Sequence, residues 1–345
     1  MKYSFLLVLL LLCSVADILL GSVYIPFEDI LAVFVKNNQE LSKNLTESMI
    51  TQNMIIENIV FQLRLPKLLT AILVGAGLSV AGLQMQTLFQ NPLAGASEMG
   101  VSAGAGLGVA VVTLTSLTSG LTFVRNWGFS QSWLVVIAAI LGAILVMLLI
   151  LMLSLRLKNN VALLIVGLMT SSVVMSVVGL WQYFSSPEEL QSYMTWTYGS
   201  LSGLNKNQVI VLFICVLVGL LIAITILKPL NAFLLGANYA QSMGVRVRSV
   251  RLRIILSTSI LAGAITAFCG PIGFVSVAVP HLARTWLKTT NHLVLMPICA
   301  LLGAILLILC DILSRILSEN YILPINAITS LLGAPIVILM IWKKN

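Results

Sequence analysis

The sequence predicts an all-α integral membrane protein of about ten transmembrane helices, with an inverted internal repeat in which spans 2–5 correspond to spans 7–10. Three observations carry this prediction. The 345 residues are 59% hydrophobic and only 9% charged, with a mean hydropathy of +1.07, whereas a soluble domain carries about 25% charged residues. Apolar runs of roughly 20 residues, enough to cross a hydrocarbon core, recur along the whole chain. Two stretches five spans apart repeat one pattern of glycine and proline.

The first span is expected near residues 4–24. It lacks the small-x-small site of a cleaved signal, and Leu12 before Cys13 is a poor lipoprotein cleavage position, so it reads as an uncleaved helix. Residues 25–62 form an outer loop with room for an amphipathic helix. Further spans fall near 66–86, 93–119, 132–155, 161–184 and 208–228. The largest inner loop, 229–251, has helical stretches punctuated by Gly236 and Gly244 and ends in a basic run. Spans near 252–270, 273–288, 293–313 and 324–342 complete a single transmembrane domain over 1–345.

Ten spans place both termini on one side. With the termini in the cytoplasm, 12 of the 19 Lys and Arg are inner: Lys2, Arg156, Lys158, Lys228, Arg246, Arg248, Arg251, Arg253, Arg284, Lys288, Lys343 and Lys344. That asymmetry follows the positive-inside rule. The acidic residues Glu28, Asp29, Glu40, Glu47, Glu57, Glu188 and Glu189 all fall outside.

The repeat matches Gly75, Gly82 and Pro92 to Gly263, Gly270 and Pro280 at a constant offset of 188. Copies that begin on spans 2 and 7 cross the membrane in opposite directions, a common plan of transport proteins with broken helices at corresponding positions. Irregular backbone at membrane depth is tolerated where it is buried or faces water. The break at Asn91-Pro92 therefore reads either as part of a pathway near its inner end or as a plain turn between helices. The small residues around Gly75 and Gly82, and those from Gly100 to Gly108, serve close helix packing.

The composition excludes several function classes. The net charge of +8 is scattered between apolar runs and reads as topology control, so no nucleic-acid partner is expected. The five cysteines have no metal-ligand spacing. No lysine follows a glycine, so the chain has no phosphate-binding loop of its own. No catalytic set of side chains is visible. Asp17 and Asp311, the ionisable groups within spans, have no evident cationic partner in mid-membrane, and His281 reads as structural. A transporter without an engine implies a partner that supplies one. A stand-alone secondary transporter and a channel or structural subunit are the other classes. Arg64, Lys67 and Arg315 fall outside, against the charge trend; Arg64 and Lys67 could anchor a span among headgroups, and Arg315 could pair with Asp311 and Glu319 at i,i+4 spacing.

Three stretches resemble the iron-chelate, haem and cobalamin importer permeases of the FecCD type. They are "RLPKLLTAILVGAGLSVAGLQMQTLFQNPLAGASEMGVSAGAG" from Arg64, "GPIGFVSVAVPHLARTWL" from Gly270 and "LPINAITSLLGAPIVILMI" from Leu323. The resemblance implies the permease subunit of an ATP-binding cassette importer that takes up iron chelates (a ferric siderophore or haem) or, alternatively, cobalamin across the inner membrane. It implies a homodimer of ten-helix chains, two cytoplasmic ATPase subunits that use the ATP, and a periplasmic substrate-binding protein; this chain would bind no cofactor. By the same resemblance, Asn91, Leu93 and Asn160 form the translocation gate. Two short coupling helices lie between Leu230 and Val250, with Leu230, Leu235, Gly236, Ala237 and Gly244 at the ATPase contact. Arg64, Lys67 and Arg315 receive the binding protein. The family often has an acidic residue after the loop glycine, where this chain has Ala237 and Asn238. The outer loop around 36–55 is also longer than the family minimum.

Overall fold

The computed structural model describes residues 2–21, 25–26, 54–96, 100–114, 131–157, 160–317 and 323–342. Every regular element among them is helical. The helices are α1 (Lys2–Leu19), α2 (Leu65–Phe89), α3 (Val101–Thr113), α4 (Gln131–Arg156), α5 (Asn160–Phe184), α6 (Pro187–Thr197), α7 (Lys206–Thr225), α8 (Leu227–Phe233), α9 (Ala237–Ser242), α10 (Val247–Cys269), α11 (Val275–Leu287), α12 (His292–Ile316) and α13 (Ile325–Trp342).

Among the described residues, seven helical runs are long and apolar enough to cross a membrane: α1, the run Met54–Phe89 that ends in α2, α4, α5, α7, α10 and α12. With α13 and the two short helices α3 and α11, they occupy the ten expected positions. α3 corrects the expected span at 93–119, of which only Val101–Thr113 is helical among the described residues, while α11, Val275–Leu287, matches the expected 273–288 to within two residues. Each has 13 residues, about 20 Å at 1.5 Å per residue, against a hydrocarbon core of about 30 Å. Each follows a non-helical stretch, residues 91–96 before α3 and residues 270–273 before α11, and the two lie at corresponding places in the two halves. The end of the expected outer loop is also helical. Residues 54–58 lead into a π turn, Ile59–Arg64, continuous with α2; residues 27–53 of that loop lie outside the described residues.

The two halves are swapped into each other. α2 packs on α12 and α11, and α10 packs on the corresponding α4 and α3. The pairs α3–α4 and α3–α5 likewise recur as α11–α12 and α11–α13. α2 and α10 are thereby the most buried spans, whereas α5 is among the most exposed. Small residues make the crossings possible. A methyl group at Gly75 would run into the Gly303 carbonyl, one at Gly82 into Ser276, and one at Gly108 into the Ala138 carbonyl. Removing side chains at these points lets backbones touch.

The repeat exists, but its register differs from the offset of 188. Gly82 lies within α2, while Gly270 ends α10 with φ +75°. Pro92 lies in a turn, while Pro280 lies inside α11. Matching the helix ends instead sets Phe89 against Cys269, an offset of 269 − 89 = 180. The left-handed residues Gln90 and Gly270 then correspond, and Pro92 falls one place from Pro271. A helix that ends on a residue of positive φ is what the two copies share.

α6 is an unexpected element. Ser186 caps it, with its hydroxyl accepting from the Glu189 N–H and the Glu189 carboxylate accepting from the Ser186 N–H. Pro187 occupies the first turn.

Candidate functional site

α2 links two polar centres. Its end, the start of α5, α8, α9 and the start of α12 gather at one end of the molecule, called here the loop end. Its start meets the end of α1 and the end of α12 at the other, called here the charged end.

At the loop end, α2 stops at Gln90, whose φ of 49° is left-handed. The Gln90 side-chain amide donates to the Phe233 carbonyl at 3.1 Å, which ties α2 to α8. Asn91 then makes an Asx turn, its Oδ1 accepting the Leu93 N–H at 3.0 Å. Asn160 opens α5 and donates from Nδ2 to the Leu88 carbonyl at 2.6 Å. Arg251, in α10, donates to Asn160 Oδ1 and to the Leu157 carbonyl, both at 2.6 Å. A cleft of about 440 Å³ lies among Phe89, Gln90, Asn160, Val161 and residues Leu235 to Tyr239. Of the expected gate residues, Asn160 lines this cleft, and Asn91 and Leu93 lie just beyond it.

Two short helices stand in the expected coupling loop, separated by Gly236 and followed by Gly244, with φ of +102° and +83°. A side chain is strained at such angles. Leu230 is fully buried with Phe233 and anchors α8 rather than facing outward. Leu234, Leu235, Tyr239 and Met243 are exposed and make an apolar surface on the loop. Ala237 begins α9 and is half-buried.

Sequence reasoning missed the polar residues beneath this loop. His292 is fully buried. Its backbone N–H and its Nδ1 both lie 2.8 Å from Asn231 Oδ1, and its Nε2 lies 2.8 Å from the Thr87 hydroxyl. Asn231 also donates to Asn291 Oδ1 at 3.0 Å. Gln86 accepts from Arg284 and donates to the Val277 carbonyl. One imidazole and several amides thus join α2, α8, α11 and α12. His281 is peripheral by comparison: it is half-buried on α11, with Nε2 3.4 Å from the Thr285 hydroxyl.

At the charged end, the three expected docking residues come together, but their charges point inward. Lys67 pairs with Asp311 at 2.9 Å. Arg315 pairs with the other oxygen of Asp311 at 2.6 Å and also with Asp17. The side chains of all four are at most 10% exposed. The two carboxylates expected to lack cationic partners are therefore both paired, by cations from α2 and α12. Arg315 bonds Asp311 at i,i+4 spacing; Glu319 lies outside the described residues. Arg64 donates to the Ile18 carbonyl at 2.5 Å, and Arg315 donates to the Leu20 carbonyl. These bonds satisfy carbonyls left open at the end of α1, where the helix dipole favours cations. Beside the cluster a pocket of about 240 Å³ is lined by Lys67, Asp311 and Ser314 together with Tyr198, Ser200 and Ser202 from beyond α6.

A family model described as the FecCD transport family matches residues 7–343. The chain is 36% identical over 287 residues to the vitamin B12 import system permease protein BtuC of Vibrio cholerae serotype O1, covering 82% of each protein. It is 34% identical over 286 residues to the protein of the same name from Salmonella newport, covering 82% of this chain and 83% of that one. A solved structure of an inward-facing transporter, assigned to the metal-chelate type of ABC transporters, superposes with a TM-score of 0.79 at 27% identity over 98% of this chain and 97% of that chain. PsaBC from Streptococcus pneumoniae in complex with Fab shares the fold, with a TM-score of 0.53 at 17% identity over 84% of this chain and 95% of that one.

Proposed function

The chain belongs to the FecCD transport family, and from that premise we propose that it is the membrane permease of an ATP-binding cassette importer for iron chelates, a ferric siderophore or haem. The single observation that supports this reading most is the superposition on the metal-chelate transporter over nearly the full length of both chains. Cobalamin is the second reading, favoured by the identity to the BtuC proteins over more than four-fifths of the chain.

In this reading two copies form the pathway, and two ATPase subunits bind the exposed apolar surface of α8 and α9 and use the ATP. A periplasmic binding protein delivers the ligand at the charged end, and Arg64, Lys67 and Arg315 receive it. The protein sits in the bacterial inner membrane with both termini in the cytoplasm. Asn91, Leu93 and Asn160 close the path at the loop end, and the turn at Gly236 carries the ATPase stroke. The chain itself binds no cofactor.

The test is reconstitution with the cognate ATPase and binding protein, followed by uptake of a ferric hydroxamate, haem and cyanocobalamin in separate assays. ATP-dependent accumulation of one of the two iron ligands is expected. Accumulation of cyanocobalamin alone would replace the first reading by the second. Uptake that proceeds without the ATPase would overturn both.

A further inference from the structure

From the contacts at the loop end we infer that Arg251 is a positioning residue, the link that carries movement of α8 and α9 to the gate. The inference rests on the gate reading above and adds the residue through which the stroke travels.

The geometry is a chain of three hydrogen bonds, each 2.6 Å long. Arg251 holds the Leu157 carbonyl and Asn160 Oδ1, and Asn160 Nδ2 holds the Leu88 carbonyl. Leu157 and Asn160 flank the connection between α4 and α5, so one guanidinium clamps both sides of that turn. Leu88 lies two residues before the left-handed Gln90 and three before Asn91. Arg251 itself stands in the second turn of α10, directly after the loop. The Val245 N–H bonds the Ala240 carbonyl of α9 at 3.0 Å, and Ala240 and Val250 are buried there. α9 and the start of α10 are thereby one packed piece. The circuit closes on the other side, where Gln90 holds the Phe233 carbonyl of α8. The cleft of about 440 Å³ lies inside this ring.

Arg251 is 6% exposed, and its acceptors among the described residues include a carbonyl and a carboxamide. A guanidinium suits this place because its rigid fork presents two N–H groups in fixed directions, which an ammonium cannot do. Bonds from a charged donor are about twice as strong as neutral ones, so the fork stays attached while the pieces it joins move. A displacement of α9 toward or away from the membrane must move the Arg251 fork. The fork then moves the α4–α5 turn and the last turn of α2 with it.

The test uses the complete importer in nanodiscs, with Asn91→Cys as a reporter labelled by a water-soluble maleimide. Labelling is corrected for the unsubstituted chain and measured with and without ATP plus vanadate. In the Arg251→Met variant the nucleotide-dependent change in labelling rate should fall on the order of tenfold, within the range typical of coupling between sites, while ATP hydrolysis by the partner continues. Arg251→Lys should retain an intermediate change. Asn160→Asp keeps the acceptor for Arg251 but loses the donor to Leu88, and should be as damaging as Arg251→Met. Combining the two should be no worse than either alone, because bonds in series fail once. A nucleotide response at Asn91 that survives in Arg251→Met overturns the role of Arg251, whatever Asn160→Asp does, and leaves the gate reading intact. No nucleotide response in the unsubstituted Arg251 background overturns the gate reading, and this inference with it.

Discussion

At its start α2 is held by opposite charges, and at its end by amides, hydroxyls and one imidazole. Lys67, Arg315, Asp17 and Asp311 interlock at the charged end. At the loop end Arg251 and Arg284 are held by carbonyl and amide oxygens instead, and the remaining contacts are neutral. The difference is one of what happens when a bond opens. Breaking a buried ion pair strands a charge, at about 3–5 kcal/mol, while opening a hydrogen bond costs about 1 kcal/mol net between neutral groups and about 1.5–3 kcal/mol where the donor is a guanidinium. The charged end is therefore built to stay closed, and the loop end to exist in more than one arrangement. An importer that alternates access needs both: a fixed fulcrum and a joint that turns.

The largest effect should come from removing the hub of the charged end. Asp311→Ala leaves Lys67 without its ion-pair partner and Arg315 with Asp17 alone. A loss of about 3–5 kcal/mol is expected, read as a fall in the unfolding midpoint of the purified permease. If Asp311→Ala unfolds like the parent, the fulcrum account is wrong.

The second break is at the loop end. Asn231→Leu removes the shared acceptor of the His292 N–H and ring, and should cost about 1–3 kcal/mol. Its transport defect should exceed what the loss of folded protein explains. A transport defect no larger than the stability defect would make the loop end merely structural.

A third substitution sharpens the contrast by acting through the backbone alone. Gly236→Ala forces a side chain onto a φ of +102° with open space around it, the nearest atom being Gln90 Nε2 at 3.6 Å. The strain is about 1–3 kcal/mol. It falls on a loop that packs lightly, so membrane insertion should be normal while ATP use per transported ligand rises. Unchanged stoichiometry would remove Gly236 from the coupling path.

How much of this was legible in the sequence follows from what hydropathy can see. Long apolar runs located the spans, because lipid contact demands them whatever the partners. They could not show that α3 starts only at Val101 and ends at Thr113, since hydropathy averaged over a span absorbs a short break such as Asn91-Pro92. The constant offset of 188 misplaced the repeat because Pro92 can be matched to Pro280 or set near Pro271, and only the helix ends decide. Asp17 and Asp311 looked unpaired because the cluster is assembled from three helices, α1, α2 and α12, spread over almost the whole chain. Other features were present and passed over. Ser186, Pro187 and Glu189 spell a helix start, and Gln84, Gln86 and His292 stand in otherwise apolar helices, where polar residues mark function or buried networks.

The smallest effect decides what the charged end is for. Exposed ion pairs are screened by salt over a Debye length of about 10 Å at 0.1 M, whereas buried pairs are screened much less. With the side chains of Lys67, Asp311 and Arg315 at most 10% exposed, raising salt from about 0.05 to 0.5 M should change the stability of the parent by under about 0.5 kcal/mol, in the range of surface pairs alone. The deficit of Asp311→Ala should be the same at both salt concentrations. Docking of the binding protein at this end should still weaken with salt, because long-range fields steer association even when the charges that make them are internally paired. The two responses separate the roles. A deficit that shrinks at high salt would mean that the cluster is open to solvent and free to receive a partner's carboxylates directly. A deficit that holds while docking weakens leaves Lys67 and Arg315 as structural ties, felt by the partner only through the net positive field they share with Arg64.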